Sequence, residues 1–398
     1  MTCPGCGQAA KFQDFRRRQP LSLLGPIRLE RAYYSCGRCG HGLAPFDEAA
    51  GLTPKRLTPA AERLTALAGL LSDSFEEAAE KVLPEMSGLR LSEATAGRAT
   101  EAAGGRLRQW RAAGRTLGSP RPWAWHKDAQ GRTCAYASID AICVAQQAKG
   151  GGKAEGRMPY VAMLYNPLPE VADTGAARRL PPAAARPSGV AARQQARYLA
   201  GLYSLEELGP ALRRQAAQVG MERADLWIGL TDGGNGLEDF LRANFGRPDL
   251  VVILDFWHAA EYLADLAKAL HPHQEELAEE KRQLWSRLLR QEGGAATLAY
   301  LREEAWPTTA SVQQQWEKVQ SYFGNHLHRM EYPEYEAQGW CIGSGVAESG
   351  CKTVVSQRLK LAGMRWGKDG TDALCHLRAL YLSEKGQWQA FWAPPSPN

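Results

Sequence analysis

No run of about 18 apolar residues occurs in the 398-residue sequence, so no membrane-spanning helix is expected. The first residues lack the basic-then-apolar order of a secretory signal, because a cysteine pair arrives within six residues. A cytoplasmic protein is the expectation. Cysteine is sparse: nine in all, of which Cys134, Cys143, Cys341, Cys351 and Cys375 stand singly. That usage fits a reducing compartment better than a disulfide framework, and it suggests no thiol catalyst. Neither sign of charge dominates. Lys and Arg number 48 against 43 Asp and Glu, and the net +5 permits nucleic acid without requiring it. Familiar catalytic loops are missing too. Ser344 lacks the Gly-x-Ser-x-Gly spacing of a hydrolase nucleophile, and the loop Gly233 to Gly236 matches neither dinucleotide nor phosphate-loop fingerprints.

With 44% hydrophobic and 23% charged residues, the chain has the composition of a folded protein, long enough for two or three domains. Its clearest signal is a pair of Cys-x-x-Cys knuckles, Cys3 with Cys6 and Cys36 with Cys39. Each knuckle turns two sulfurs toward one point, and glycines beside them (Gly5, Gly7, Gly37, Gly40) suit the tight turns. Thirty positions separate Cys6 from Cys36, room for a β-hairpin. Residues 1–52 therefore read as a zinc ribbon, with Zn²⁺ held by Cys3, Cys6, Cys36 and Cys39 and with Arg16, Arg17 and Arg18 on its hairpin. His41 reads as a surface residue.

From Thr58 to Trp110 the apolar spacing becomes helical, with Ser74 and Ser92 placed as N-caps, Glu77 at a capping-box position, and a last helix over Glu93 to Ala103. Residues 56–112 read as a helix-turn-helix-like domain, or as a small bundle that links its neighbours. A Gly/Pro/Trp-rich linker, Gly114 to Trp125, leads into strands at Ala135 to Val144, Met158 to Tyr165 and Arg197 to Leu202. A helix (Leu205 to Val219), a strand (Leu226 to Asp232), a helix (Gly236 to Phe245) and a strand (Leu250 to Asp255) follow. That order is the order of an RNase H-like α/β core. Two loops, Lys149 to Gly156 and the Ala/Pro/Arg-rich Asp173 to Arg193, interrupt it.

Acidic residues mark the strand ends. Asp140 lies within an apolar strand, where a carboxylate is costly unless paired or bound to metal. Asp232 and Asp255 end two more strands, where α/β sheets collect their sites. Glu348 follows Gly343-Ser344-Gly345 and shares a helical face with Lys352, the helix reading from Val346 to Ala362. Carboxylates gathered in this way repel unless cations intervene, and Mg²⁺ or Mn²⁺ suits such a set. The plain alternative is that each Asp caps the turn after its strand, and that Glu348 and Lys352 form a surface pair.

Several stretches resemble ISKra-type bacterial insertion-sequence transposases, relatives of the Mutator-like DDE transposases. They include Tyr34-x-Cys36-x-x-Cys39 with Pro45-Phe46-Asp47, the Phe75 to Ala79 helix, and Leu254-Asp255-Phe256-Trp257-His258 through Leu263. Asn325-x-x-His328-Arg329-Met330, Gly343-Ser344-Gly345-Val346-x-Glu348 with Cys351-Lys352, Gln357 to Lys360, and Gly363 to Trp366 complete them. The resemblance implies an RNase H-like core (residues 131–255 and 340–384) split by a long helical insertion (256–339), with Asp140, Asp232 and Glu348 as the metal-binding catalytic triad. It implies that Asp255 and His258 form an auxiliary Asp-x-x-His signature. The cations Lys352, Arg358, Lys360 and Arg365 suit DNA phosphate. The expected activity is Mg²⁺-dependent cleavage at the ends of a mobile element and strand transfer into target DNA, by a homo-oligomer on double-stranded DNA. Alanine at position 141, where such sequences usually carry Gly, leaves two alternatives: a catalytically inactive, transposase-derived DNA-binding protein, or a structure-specific nuclease.

Overall fold

A computed structural model describes residues 1–52, 57–148, 155–167, 195–234, 236–343, 350–384 and 386–393. In the N-terminal region, β1 (Lys11–Arg18), the short β2 (Leu21–Ser22) and β3 (Gly25–Pro26), β4 (Leu29–Ser35) and β5 (Gly42–Leu43) precede a short helix, α1 (Pro45–Ala49). β1 and β4 pair antiparallel, and β5 adds to β4. The hairpin thus fills the space between the two knuckles. Gly7 and Gly40 close those knuckles at φ 71° and 69°, a backbone region that favours glycine, and their N–H groups donate to Cys3 O and Cys36 O at 2.9 Å.

Three helical stretches follow. α2 (Pro59–Leu71) starts at Thr58; α3 (Phe75–Glu77) runs through a π-helical turn, Ala78–Val82, into α4 (Leu83–Ser87); α5 spans Glu93–Ala112. Ser74 and Ser92 cap as expected, accepting from Glu77 N and Thr95 N. The capping box is not closed, because the Glu77 carboxylate accepts from Asp73 N instead of Ser74 N. α5 outlasts its expected end at Ala103 because Leu107 and Arg111 continue its buried face. That face meets the helix Lys368–Leu382. A Cβ built on Gly104 would lie 2.3 Å from Ala373 O, so only glycine allows the approach. Ala66, Leu70, Ala103 and Leu107 accordingly share one core with Val354, Leu374 and Leu377. The stretch expected as a linker is packed as well. Trp123 and Trp125 are buried, with Trp125 Nε1 donating to Gly220 O at 3.1 Å.

The central sheet has the order β11 (Gln195–Gly201), β10 (Tyr160–Asn166), β7 (Thr133–Ala141), β12 (Leu226–Thr231), β13 (Leu250–Leu254), with β6 (His126–Lys127) pairing the start of β7, while β8 (Val144–Ala145) and β9 (Gly156–Arg157) form a separate antiparallel pair. β10 runs antiparallel to both neighbours, whereas β7, β12 and β13 are parallel. Side chains alternate between two buried faces. Ala135, Ala137, Ile139, Ala162 and Val252 pack against α6 (Leu205–Gln218) and α7 (Leu237–Phe245). Tyr136, Met163, Ile228, Leu230 and Ile253 face the other way, toward α8 (Phe256–Leu270), α9 (Glu275–Glu303), α10 (Ala310–His326) and α11 (Tyr332–Ala337). α9 breaks at Gly293 (φ 82°), whose backbone passes close to Met330 O. The result is a mixed α/β fold with helices on both faces of a mixed sheet.

Beyond residue 350, a π-helical segment, Cys351–Ser356, and one further turn, Gln357–Leu359, end at Lys360, short of the expected Ala362. Two arginines bolt this segment to α2. Arg358 Nε donates to Gly69 O at 3.0 Å, while Arg378 donates to Leu70 O and Val354 O at 2.8 Å each and to Thr353 O. The last carbonyls of α2 have no partners within their own helix, and a cation there also meets the negative end of the helix dipole.

Candidate active site and metal centre

The four cysteine sulfurs lie within 4.8 Å of one another, with Cys3 Sγ 3.6 Å from Cys39 Sγ and Cys6 Sγ 3.5 Å from Cys36 Sγ. Four Zn–S bonds of about 2.3 Å in a tetrahedron set sulfurs about 3.8 Å apart. The cluster therefore could bind a metal such as zinc, and it is compatible with a zinc ribbon. Hydrogen bonds from the backbone N–H groups of Cys39 and Arg38 pull the Cys36 thiol below its ordinary value, while Cys6 and Cys39 move above theirs because their own backbone hydrogen bonds, from Gln8 and His41, are outweighed by the neighbouring thiols and burial. Among the described residues this is the single group of three or more His, Cys, Asp or Glu close enough to share an ion.

The acidic site is built by the sheet. Ser138 on β7 is in register with Leu230 on the parallel strand β12. Two residues beyond this pair stand Asp140, still within β7, and Asp232, the residue after β12 ends, on strands spaced about 4.8 Å apart. Burial raises the Asp140 carboxyl above the ordinary Asp value; a hydrogen bond from Cys351 opposes the shift, and the neighbouring Asp232 charge adds to it. Cys351 Sγ donates to Asp140 Oδ2 at 3.1 Å, and Ala141 N to Oδ1 at 2.6 Å. Asp232 Oδ1 accepts from Gly234 N at 2.9 Å, and its Oδ2 lies 3.8 Å from His258 Nε2. Tyr322 of α10 donates to Asp232 O at 2.5 Å, tying the end of β12 to the helical layer. An open cleft of about 740 Å³ runs from Asp232 past His258, Lys318, Tyr322 and His326.

Glu348 lies outside the described residues. Lys352, Lys360 and Arg365 are exposed, as phosphate contacts require. Arg358 needs correction: it is 1% exposed, held between the rings of Phe75 and Trp366 at 4.9 Å each, and cannot meet a DNA phosphate. Its cationic neighbours in the sequence give no sign of this, because the carbonyls and rings that bury it come from α2, α3 and Trp366. Asp255 is also buried, and it acts as the N-cap of α8, accepting from Trp257 N at 2.8 Å and His258 N at 3.5 Å. That cap turns the start of α8 so that His258 faces Asp232.

Sequence reasoning missed Cys351, Tyr322 and His326 as members of the site. Tyr322 and His326 are four apart on α10, a spacing that shows a shared face without showing what it meets. Burial, then the charges of Arg329 and His328, lower the His326 pKa, so its ring is neutral near pH 7. Arg329 Nη2 donates to its Nδ1 at 2.8 Å. No protein-family model matches the chain, and no curated protein matches it.

Proposed function

We propose that the protein is a DDE-type DNA transposase with an RNase H-like core, cutting the ends of a mobile element and joining the freed 3′ ends to target DNA. One observation carries the reading: Asp140 near the end of β7 and Asp232 just after the adjacent parallel strand β12 stand two positions beyond the paired Ser138 and Leu230, and Cys351, three residues after Glu348 in the sequence, touches Asp140. The strand order 11-10-7-12-13, with β10 alone running against the other four, supports the same reading.

Asp140, Asp232 and Glu348 would hold divalent cations, and the mutual repulsion of the two aspartates fits a site completed by positive charge. Such ions would polarise the scissile phosphate and favour deprotonation of the attacking water or 3′-hydroxyl. The chain's own groups position these parts. Asp255 and Tyr322 fix the ends of β13 and β12, His258 stands beside Asp232 within reach of a phosphate oxygen, and Lys352, Lys360 and Arg365 present exposed charge to the DNA backbone. The cysteine ribbon, with zinc, and the α2–α5 region supply further DNA contacts, and the assembly on DNA is a homo-oligomer.

Asp140→Asn, Asp232→Asn and Glu348→Gln should each cut Mg²⁺-dependent cleavage of duplexes carrying the matching terminal repeats by roughly 100-fold or more while leaving binding intact. Wild-type cleavage in all three sinks the carboxylate mechanism. A protein that binds the repeats yet never cuts them is a silent DNA binder, and cleavage without joined strands marks a nuclease.

A further inference from the structure

The hairpin of the cysteine ribbon has two unlike faces. At Gln13 the β1–β4 register slips by one residue, and this bulge brings Phe12, Phe15 and Arg17 to the same side, opposite Tyr34, Ala32 and Glu30. On the other side stand Asp14, Arg16 and Arg18, opposite Tyr33, Arg31 and Leu29. That second side is occupied. Arg18 and Arg31 both pair with Asp47 of α1, at 2.7 and 3.0 Å, and the Arg16 guanidinium lies 3.4 Å over the Tyr33 ring.

The first side is open. Phe12 is 49% and Phe15 65% exposed, yet the two rings are ordered edge to face at 5.4 Å, and Phe12 meets Tyr34 at 5.8 Å. Arg17 extends beside them with its side chain 91% exposed, and its approach to Glu30, 3.8 Å between two exposed groups, binds it weakly. Residues 1–52 carry seven Lys and Arg against four Asp and Glu, so the rings sit in a positive setting. Flat aromatic faces on an open sheet, flanked by cation, match a ligand that is both planar and anionic. Unpaired bases on a phosphate chain have that chemistry, and a base pair buried in a duplex does not expose its faces.

We propose that this open face binds a single strand of nucleic acid, bases stacking on Phe12 and Phe15 while Arg17 holds the intervening phosphate. The surface is separate from the acidic cleft, so the proposal holds or fails independently of the cleavage chemistry. Exposed aromatics on a basic patch also explain why the ribbon leaves apolar area uncovered where its own small core cannot reach it.

Fluorescence anisotropy tests this with the full-length, zinc-loaded protein, without added Mg²⁺, against labelled 15-nucleotide oligo(dT), oligo(rU) and a 15-base-pair duplex. Phe12→Ala and Phe15→Ala should each weaken binding of a single strand by roughly 5- to 150-fold, with duplex binding changed far less. Phe15→Trp should restore it, which a merely structural role would not do, and zinc content should stay at the wild-type level. Arg17→Ala should weaken binding and flatten its salt dependence. Tighter oligo(dT) or oligo(rU) binding then identifies DNA or RNA as the ligand. Wild-type single-strand affinity in the Phe12→Ala/Phe15→Ala double variant overturns the proposal. So does a dimer that falls apart in that variant while single-strand binding persists, since the face would then join two copies of the chain.

Discussion

The cysteine ribbon and the α/β body are held together by different physics. The ribbon buries four residues at its centre, Cys3, Ala10, Cys36 and Leu43, and two of them are thiols. A core of that size cannot offset the chain entropy of about fifty residues, so the region depends on whatever binds its four sulfurs. The body relies on burial. Trp285, Leu289, Phe323 and Tyr332 close one face of the sheet, and Leu208, Leu212, Phe240 and Phe245 close the other. The contrast shows in what each region leaves outside: the ribbon exposes phenylalanines, and the body encloses even arginine and histidine. A region with little core has side chains to spare for a ligand. A region with a large core must find internal partners for most of the polar groups it encloses.

That contrast can be broken experimentally. The largest effect is expected from Cys36→Ser, which should release the metal and unfold residues 1–52 while the body's thermal transition stays in place; metal analysis and limited proteolysis read the two halves of that result. Loss of the body's transition as well would show that the two regions fold as one. Next in size is Arg378→Ala. It strands the carbonyls of Leu70, Val354 and Thr353 in a buried setting and should cost about 3 kcal/mol, seen as a lower melting temperature at unchanged zinc content.

The smallest effect is a pH dependence confined to the body. His376 is fully buried beside Arg111, Tyr203 and Asp372, and burial, then the charges of Arg111 and Arg108, hold its pKa well below the ordinary value. The folded state therefore binds its proton less readily than the unfolded chain. Its contribution is fully present above about pH 6.5 and is lost as pH falls toward the folded-state value, by at most about 1.4 kcal/mol per pH unit. Denaturant titrations of wild type and His376→Gln between pH 7.5 and 5 should diverge in this sense; identical slopes would remove His376 as the cause.

Much of the architecture was legible from residue order. The two knuckles, the serine caps, the strand that contains Asp140, the strands that lead to Asp232 and Asp255 and the helices after Phe256 all follow from local spacing, which the chain carries with it. Other features were not. The extension of α5 to Ala112 depends on Gly104 meeting Ala373, and the packed tryptophans of the supposed linker depend on Gly220 and Glu384. Arg358 and Lys360 are two positions apart in a basic run, but one is stacked in the core and the other meets solvent.

Sequence alone determined which elements form and where thiols and carboxylates stand along them, because turns, caps and alternation are settled among residues a few positions apart. Tertiary structure alone decided what those groups face. Strand pairing set Ser138 against Leu230 and so brought Asp140 and Asp232 to neighbouring positions, and chain more than 200 positions from Asp140 supplied Cys351. The slip at Gln13 turned two phenylalanines to one side. Each of these depends on how distant surfaces share the same space, and no local pattern encodes the partner on the far side of a contact.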